Sequence, residues 1–455
     1  MNIATAEIRF STLRSGAGPM TWGQEYMWNL VRKRSPDDAG LNLGVILNVP
    51  EGTGLPDVLR AIQRLIECHD SLRTIYRGSA GGERMQLVLG TGQLVAVIKD
   101  SSTEDPNGVA REMLEQLTGV RFEVEHELPI RVGIVSSRGR PLFVVLALSH
   151  MATDAHGLGL LIDRLYQWPT LHPAEWQALQ QAALETSNSG LAVSRRSLRH
   201  WSYELERFSP FFAGIEFRAE SPRYWVGRLV APAIPAALAG ISRRFKVTRA
   251  SVALAAVSVG LAHYTGKNSF SILVHSANRF TPEAACVVAQ YSQEVPLRID
   301  TDPTSFKKTV MALNREATRA YTHARCSPED IAKLCERMAA ERDSELDLAA
   351  SLNIVSQAAT GRERTADIDD LPLEELETTS RYEVVDARDH DWAKFYMVFD
   401  MNGSINMMVD TTIFKSSDME GFLRGVQRVL VRVAQGDDDI ADIEHFPTCG
   451  GRLKA

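Results

Sequence analysis

Apolar residues between positions 55 and 66 recur at helical spacing. Leu59, Ile62, Leu65 and Ile66 fall on one stripe, which predicts an amphipathic helix with that face against a core. Pro56 suits its first turn, where the N–H that proline lacks would have no helical partner. Residues 141–148 are different. Pro141-Leu142-Phe143-Val144-Val145-Leu146-Ala147-Leu148 is a short apolar run bounded by turn formers, which predicts a buried strand. Beyond it, Leu158, Leu161 and Leu165 share a face, so residues 157–168 form a helix. Thr248 can cap a helix running to about Tyr264, and Gly266 can end it in a left-handed conformation. Residues 271–275 read as a strand leading into Asn278-Arg279. Ser327-Pro328-Glu329-Asp330 starts another helix, with a capping hydroxyl, an early proline and a carboxylate three residues on. Residues 185–197, with Ser, Asn, Gly and paired Arg, are expected to be a linker. Strands alternating with helices give a mixed α/β class, with no internal repeat and no low-complexity tract.

Composition narrows this only broadly. The chain has 455 residues, 44% hydrophobic and 24% charged, as an ordinary globular protein does. That length suggests two or three folding units. A net charge of −7 argues against a nucleic-acid binder, and the pairs Arg195-Arg196 and Arg243-Arg244 read as solvated surface. Docking to an acidic partner would need a local basic patch. The five cysteines (Cys68, Cys286, Cys326, Cys335, Cys449) form no Cys-x-x-Cys pair, and no signal segment opens the chain. Both features point to a reducing cytoplasm. Nothing in the sequence marks Cys286 as an activated nucleophile. No apolar run reaches the ~18 residues of a membrane span, and residues 252–261 read as a core helix.

The predicted strand at 141–148 ends in Ser149-His150-Met151-Ala152-Thr153-Asp154-Ala155. It delivers His150 to a strand end, where a loop can hold the imidazole in a cleft. An imidazole titrates near neutrality and can take or give a proton there. Asp154 can fix a neighbouring cation and stiffen the loop. A buried, hydrogen-bonded histidine is the plain alternative. A third reading takes His150, Asp154 and His156 as metal ligands, although all three sit on one loop and no distant fourth group is evident.

This stretch resembles the His-His-x-x-x-Asp-Gly signature of nonribosomal peptide synthetase condensation domains, members of the chloramphenicol-acetyltransferase-like acyltransferase superfamily. His150 falls on the second, catalytic histidine and Asp154 on the aspartate; Ser149 and Ala155 replace the first histidine and the glycine. Further landmarks follow in order. Met20-Thr21-Trp22-Gly23-Gln24 resembles the family's opening segment. Cys68-His69-Asp70-Ser71-Leu72-Arg73-Thr74 is similar to its Arg-His-x-x-Leu-Arg-Thr helix end. Residues 121–132 resemble its turn before the catalytic strand. Tyr224-Trp225, Asn278-Arg279, residues 289–298 and Asp410-Thr411-Thr412-Ile413-Phe414 resemble later motifs. In residues 289–298, Ala289 stands for Gly and Gln293 for Asn. A clear counterpart of the Tyr-x-Asp-Tyr-Ala-x-Trp motif is missing near residues 198–201, as is one of Gln-Asp-x-Pro-Phe-Glu near 323–329.

The resemblance implies an α/β architecture of two chloramphenicol-acetyltransferase-like lobes set in a V with a tunnel between them. Residues 1–185 would form the lobe carrying the catalytic loop, and 186–455 the second. It implies no intrinsic cofactor. Substrates would arrive on the phosphopantetheine of peptidyl or acyl carrier proteins, supplied in trans because no adenylation or carrier segment follows Ala455. The acceptor would be a small molecule or a second carrier-bound group. It also implies that Arg279 pairs with Asp154, and that Asn353 donates a hydrogen bond into the tunnel unless it is simply a turn residue. Ala155, where glycine would allow positive φ, would crowd the substrate or shift the loop. With Ser149, Ala289 and Gln293 it fits either an unusual substrate or a noncatalytic relative that docks carrier proteins or recruits partner enzymes.

Overall fold

The computed structural model describes residues 3–35, 37–78, 82–101, 105–167, 170–342, 346–355, 372–440 and 446–450. In chain order the first elements are β1 (Ile3–Ser11), β2 (Gly16–Pro19), α1 (Trp22–Lys33), β3 (Asn42–Asn48) and α2 (Leu55–Cys68). Then come β4 (Thr74–Arg77), β5 (Met85–Val88), β6 (Thr91–Asp100), α3 (Pro106–Thr118), β7 (Ile130–Ser137) and β8 (Arg140–Ser149). The helices α4 (Ala155–Tyr166), α5 (Ala178–Thr186) and α6 (Asn188–Leu205) follow. The second half contains β9 (Tyr224–Val230), α7 (Ile234–Phe245), α8 (Arg249–Thr265), β10 (Ser269–Ser276), α9 (Pro282–Ala285) and β11 (Gln293–Asp300). It continues with α10 (Phe306–Tyr321), α11 (Pro328–Arg342), β12 (Ala350–Val355), α12 (Leu373–Thr378), β13 (Arg381–Arg388), β14 (Phe395–Asp400), β15 (Ser404–Asp410) and α13 (Met419–Ala434).

Contacts divide the described chain into two units. One is Met1–Ala192 together with Ala277–Ser292; the other takes in Val193–Ser276, Gln293–Ser356 and the carboxy-terminal part. The first unit contains a five-stranded sheet in the order β1-β6-β7-β8-β3 and a small sheet β2-β5-β4. Ile62, Leu65 and Ile66 of α2 lie fully buried against Leu146 and Leu148 of β8, so the stripe read from sequence is the one that packs. The second unit is built on seven strands, β11-β10-β12-β14-β15-β9-β13. Its core helix α8 is buried on nearly every side, which explains why residues 252–261 show no polar face. Thr248 caps α8 through the Ser251 amide, and Gly266 ends it at φ 70°. Ser327 caps α11 by accepting the Asp330 amide at 3.3 Å. No single helix among the described residues is long and apolar enough to cross a membrane.

Residues 185–197 do join the two units, whose boundary falls between Ala192 and Val193, but the joint is helical: they complete α5 and begin α6. Ser194 and Ser197 are buried on the inner face of α6 while Arg195 and Arg196 point outward, so the composition that suggested a linker is an amphipathic helix rich in serine. Gly190 permits the abrupt junction, because a Cβ there would collide with the Leu184 and Glu185 carbonyl oxygens. The helix after β8 runs over Ala155–Tyr166, and Trp168, its expected end, lies outside the described residues.

Candidate active site

β8 lies between β7 and β3, and His150 is the first residue beyond it. The turn that follows is fixed by short backbone bonds. The Ser149 amide donates to the Pro129 carbonyl at 3.0 Å, and the Ala152 amide returns to the Ser149 carbonyl at 2.9 Å. The Ser149 hydroxyl accepts the Met151 amide at 3.3 Å. Met151, Ala152 and Thr153 are fully buried, and the Tyr76 hydroxyl donates to the Met151 carbonyl at 2.9 Å. His150 itself is half-buried. A turn held by these bonds therefore carries an imidazole that is only partly covered.

Asp154 ends the turn and caps α4, its Oδ1 accepting the Gly157 amide at 2.8 Å. Arg279 Nη2 lies 2.9 and 3.0 Å from the two carboxylate oxygens. The amides of Tyr291 and Ser292 donate to Oδ2 at 3.1 and 3.2 Å. Asp154 is 2% exposed. Burial pushes its carboxyl upward, but the Arg279 charge and the Gly157 and Tyr291 amides outweigh that and hold it below the ordinary carboxylate range. Arg279 also donates to the carbonyls of Ala284 and Ala289, at 3.2 and 2.8 Å, and lies over the Tyr291 ring at 4.2 Å.

The return segment 277–292 is thus tied to the turn at residues 150–154, and α1 holds it too. Thr21 Oγ1 donates to the Gln290 carbonyl at 3.3 Å. A Cβ on Gly23 would stand 2.6 Å from that oxygen and from Tyr291 Cα, so only glycine fits the approach. Thr21 and Gln24 form a reciprocal cap at the start of α1, at 2.8 and 3.1 Å, which places Gly23. The opening motif therefore acts as packing for the return segment. Asn278 was read from sequence only as part of the Asn278-Arg279 motif, with no role of its own. It is 5% exposed, adopts φ 55°, and its side-chain amide donates to the Tyr291 carbonyl at 2.9 Å. The available signal was an asparagine just before Arg279, since asparagine tolerates left-handed backbone better than most residues.

Ser149, His150, Asp154, Ala155 and Arg279 thus belong to the first unit. Ala155 corrects an expectation: it is the first residue of α4 and has no positive φ, so replacing glycine there strains nothing in the backbone. Gln293 and Asn353 belong to the second unit. Gln293 opens β11, is buried, and donates to the Cys326 carbonyl at 2.7 Å. Asn353 is no turn residue. It pairs in register with Val398 inside β12, and its amide reaches the Tyr396 hydroxyl at 3.5 Å.

The metal reading fails on the donor set. Asp154 is saturated by N–H donors and a guanidinium, an anion's environment that would set a metal cation beside Arg279. His156 lies on the surface with Nε2 2.9 Å from the Ala285 carbonyl. No cluster of three or more metal-ligating side chains occurs among the described residues. Other landmarks are structural. Arg73 is fully buried and bonds Asp70 at 2.5 Å and the Arg14 carbonyl at 2.7 Å. Asp410 takes Arg223 at 2.6 and 3.0 Å.

Comparison with known proteins agrees with this geometry. A sequence model of the family described as Condensation domain matches residues 15–445. The chain is 23% identical over 325 residues to the PKS-NRPS hybrid synthetase cheA of Chaetomium globosum, covering 69% of this chain and 7% of that protein. It is 26% identical over 284 residues to the cyclosporin synthetase simA of Tolypocladium inflatum, covering 57% of this chain and 2% of that protein. The chain thus spans under a tenth of either relative. The condensation domain from Monacolin K polyketide synthase MokA has the same fold, with TM-score 0.71 at 18% identity, over 95% of this chain and 100% of that one. The expected chloramphenicol-acetyltransferase-like fold class is therefore the observed one. On the extent of the family match and this shared fold, the chain belongs to the condensation domain family.

Proposed function

We propose that this chain catalyses condensation, moving an acyl or aminoacyl group from a carrier-protein thioester to an amine or alcohol. The observation that carries this reading is His150, half-buried at a strand end on a turn fixed by the buried Asp154–Arg279 pair. A thioester is already activated, so no covalent enzyme intermediate is needed. The acceptor nitrogen or oxygen attacks the carbonyl carbon, the C–S bond breaks, and the pantetheine thiolate leaves. The proton lost by the acceptor passes to His150 and from there to the thiolate sulfur. Such general base work is worth ~10²–10⁴-fold, and holding the reactants in attack geometry roughly 7–11 kcal/mol. Asp154 and Arg279 act as positioning residues, because their charges are spent on each other and on backbone. The phosphopantetheine arm belongs to carrier proteins acting in trans, and no intrinsic cofactor is required by this chemistry.

Incubating the protein with an acyl-loaded carrier protein and an amine, then following product mass, tests the reading. Product from wild type and at least ~10²-fold less from a folded His150→Ala variant is expected. Equal product from the variant, or a wild type that binds loaded carriers yet yields none with amine or alcohol, overturns it; the latter leaves a carrier-docking role.

A further inference from the structure

The residue after His150 is gripped by side chains at both of its backbone polar groups. The Ser149 hydroxyl accepts the Met151 amide at 3.3 Å, and the Tyr76 hydroxyl donates to the Met151 carbonyl at 2.9 Å. Tyr76 comes from β4, 75 residues earlier in the chain, and its own amide donates to the Val124 carbonyl at 2.9 Å. Its ring is fully buried in a cluster with Met27, Phe122, Ala147 and Met151. Burial pushes the phenol pKa up, so the hydroxyl keeps the proton it donates. The buried Gln24 side chain hydrogen-bonds the same hydroxyl. Gln24 is in turn fixed by the Thr21 amide at 2.8 Å and by Gln86 Oε1 at 3.2 Å. A polar chain thus runs from the start of α1 through Tyr76 to the turn that carries His150, entirely within the first unit.

Holding the Met151 amide fixes the peptide plane that leaves His150, and holding its carbonyl fixes the next plane. Met151 is fully buried, so a rotation that broke either bond would leave a polar backbone group unpaired in the core. The direction of the His150 side chain follows from those planes. A misplacement of about 1 Å can cost about 10²-fold in rate. We propose that Tyr76 and Ser149 are positioning residues for His150, their hydroxyls acting from opposite sides of Met151 to set where the imidazole stands. Resting on the condensation reading, this extends the support of the base beyond Asp154 and Arg279 to the small sheet β2-β5-β4.

Two measurements test it, one of them without turnover. In protein carrying isotope-labelled histidine, the His150 imidazole signals are identified by their loss in His150→Ala. Tyr76→Phe keeps the ring and loses the hydroxyl, and Ser149→Ala loses the other one; each should shift the His150 signals. In the assay with acyl-loaded carrier protein and amine, Tyr76→Phe should lower kcat about tenfold or more, with KM for the amine within about twofold of wild type. In a His150→Ala background the same substitution should change the residual rate by less than about twofold, because the base it positions is gone. His150 signals that stay in place in Tyr76→Phe, or a rate loss of equal size with and without His150, overturn the proposal. If Tyr76→Phe does not fold, unmoved signals in Ser149→Ala overturn it instead. A wild type that makes no product, or a fully active His150→Ala, sinks the condensation reading, and the imidazole signals then decide the positioning claim by themselves.

Discussion

Asp154 keeps its charge in a place where burial alone would discharge it, because Arg279 and the amides of Gly157, Tyr291 and Ser292 all face it. Asp154→Asn preserves the shape but leaves a buried guanidinium without its counter-charge. A loss of about 3–5 kcal/mol is expected, read by denaturant unfolding, together with lower condensation activity. Asn278 is open to a finer experiment. Asn278→Gly keeps the left-handed backbone and loses the side-chain bond to Tyr291, whereas Asn278→Val adds backbone strain of about 1–3 kcal/mol. Thermal melts should rank the glycine variant above the valine one. His150 and Asp154 were legible because four residues of spacing and one strand end define them. Arg279 was reachable only through family resemblance, lying 125 residues from Asp154 in sequence. No local pattern announces that Gly23 serves a segment elsewhere in the chain.

At the scale of elements, the strands and helices with a single dominant signal were readable. The run leading into His150 became β8, and the caps at Thr248, Gly266 and Ser327 bound the helices they were expected to bound. The helical form of 185–197 was not readable, for a physical cause. Serine and glycine disfavour helix in isolation, and tertiary burial of Ser194 and Ser197 overrides that weak preference. Gly23→Ala probes how elements hold the return segment. The added methyl meets the Gln290 and Tyr291 backbone, which no side-chain rotation can relieve. A cost of about 1–3 kcal/mol is expected, along with perturbed backbone chemical shifts at residues 289–292. Unchanged shifts there would show that α1 does not position that segment.

For the molecule as a whole, acid should begin to destabilise the fold before its carboxylates protonate. His69 is fully buried, and burial, with the Arg164 charge beside it, pushes its imidazole down to about 3. The folded state therefore keeps His69 neutral while the unfolded chain takes up a proton near pH 6.5. Stability falls as pH drops through the window from about 6.5 to 3, by about 1.4 kcal/mol per unit from this group. Asp154 acts lower: its contribution is present above the ordinary carboxylate pKa and fades as pH falls through its depressed value. Unfolding free energies between pH 7 and 5 should decline in wild type and decline less steeply in His69→Asn.

The return of residues 277–292 to the first unit has a consequence for synthesis. Arg279 and the Tyr291 and Ser292 amides that face Asp154 leave the ribosome only after residues 193–276 have been made. At roughly 5–20 residues per second, the turn at residues 150–154 stands open for several seconds with a carboxylate lacking its guanidinium and an uncovered Gly23. A nascent chain stalled before residue 277 should therefore be markedly more protease-sensitive around residues 150–157 than one released past residue 292.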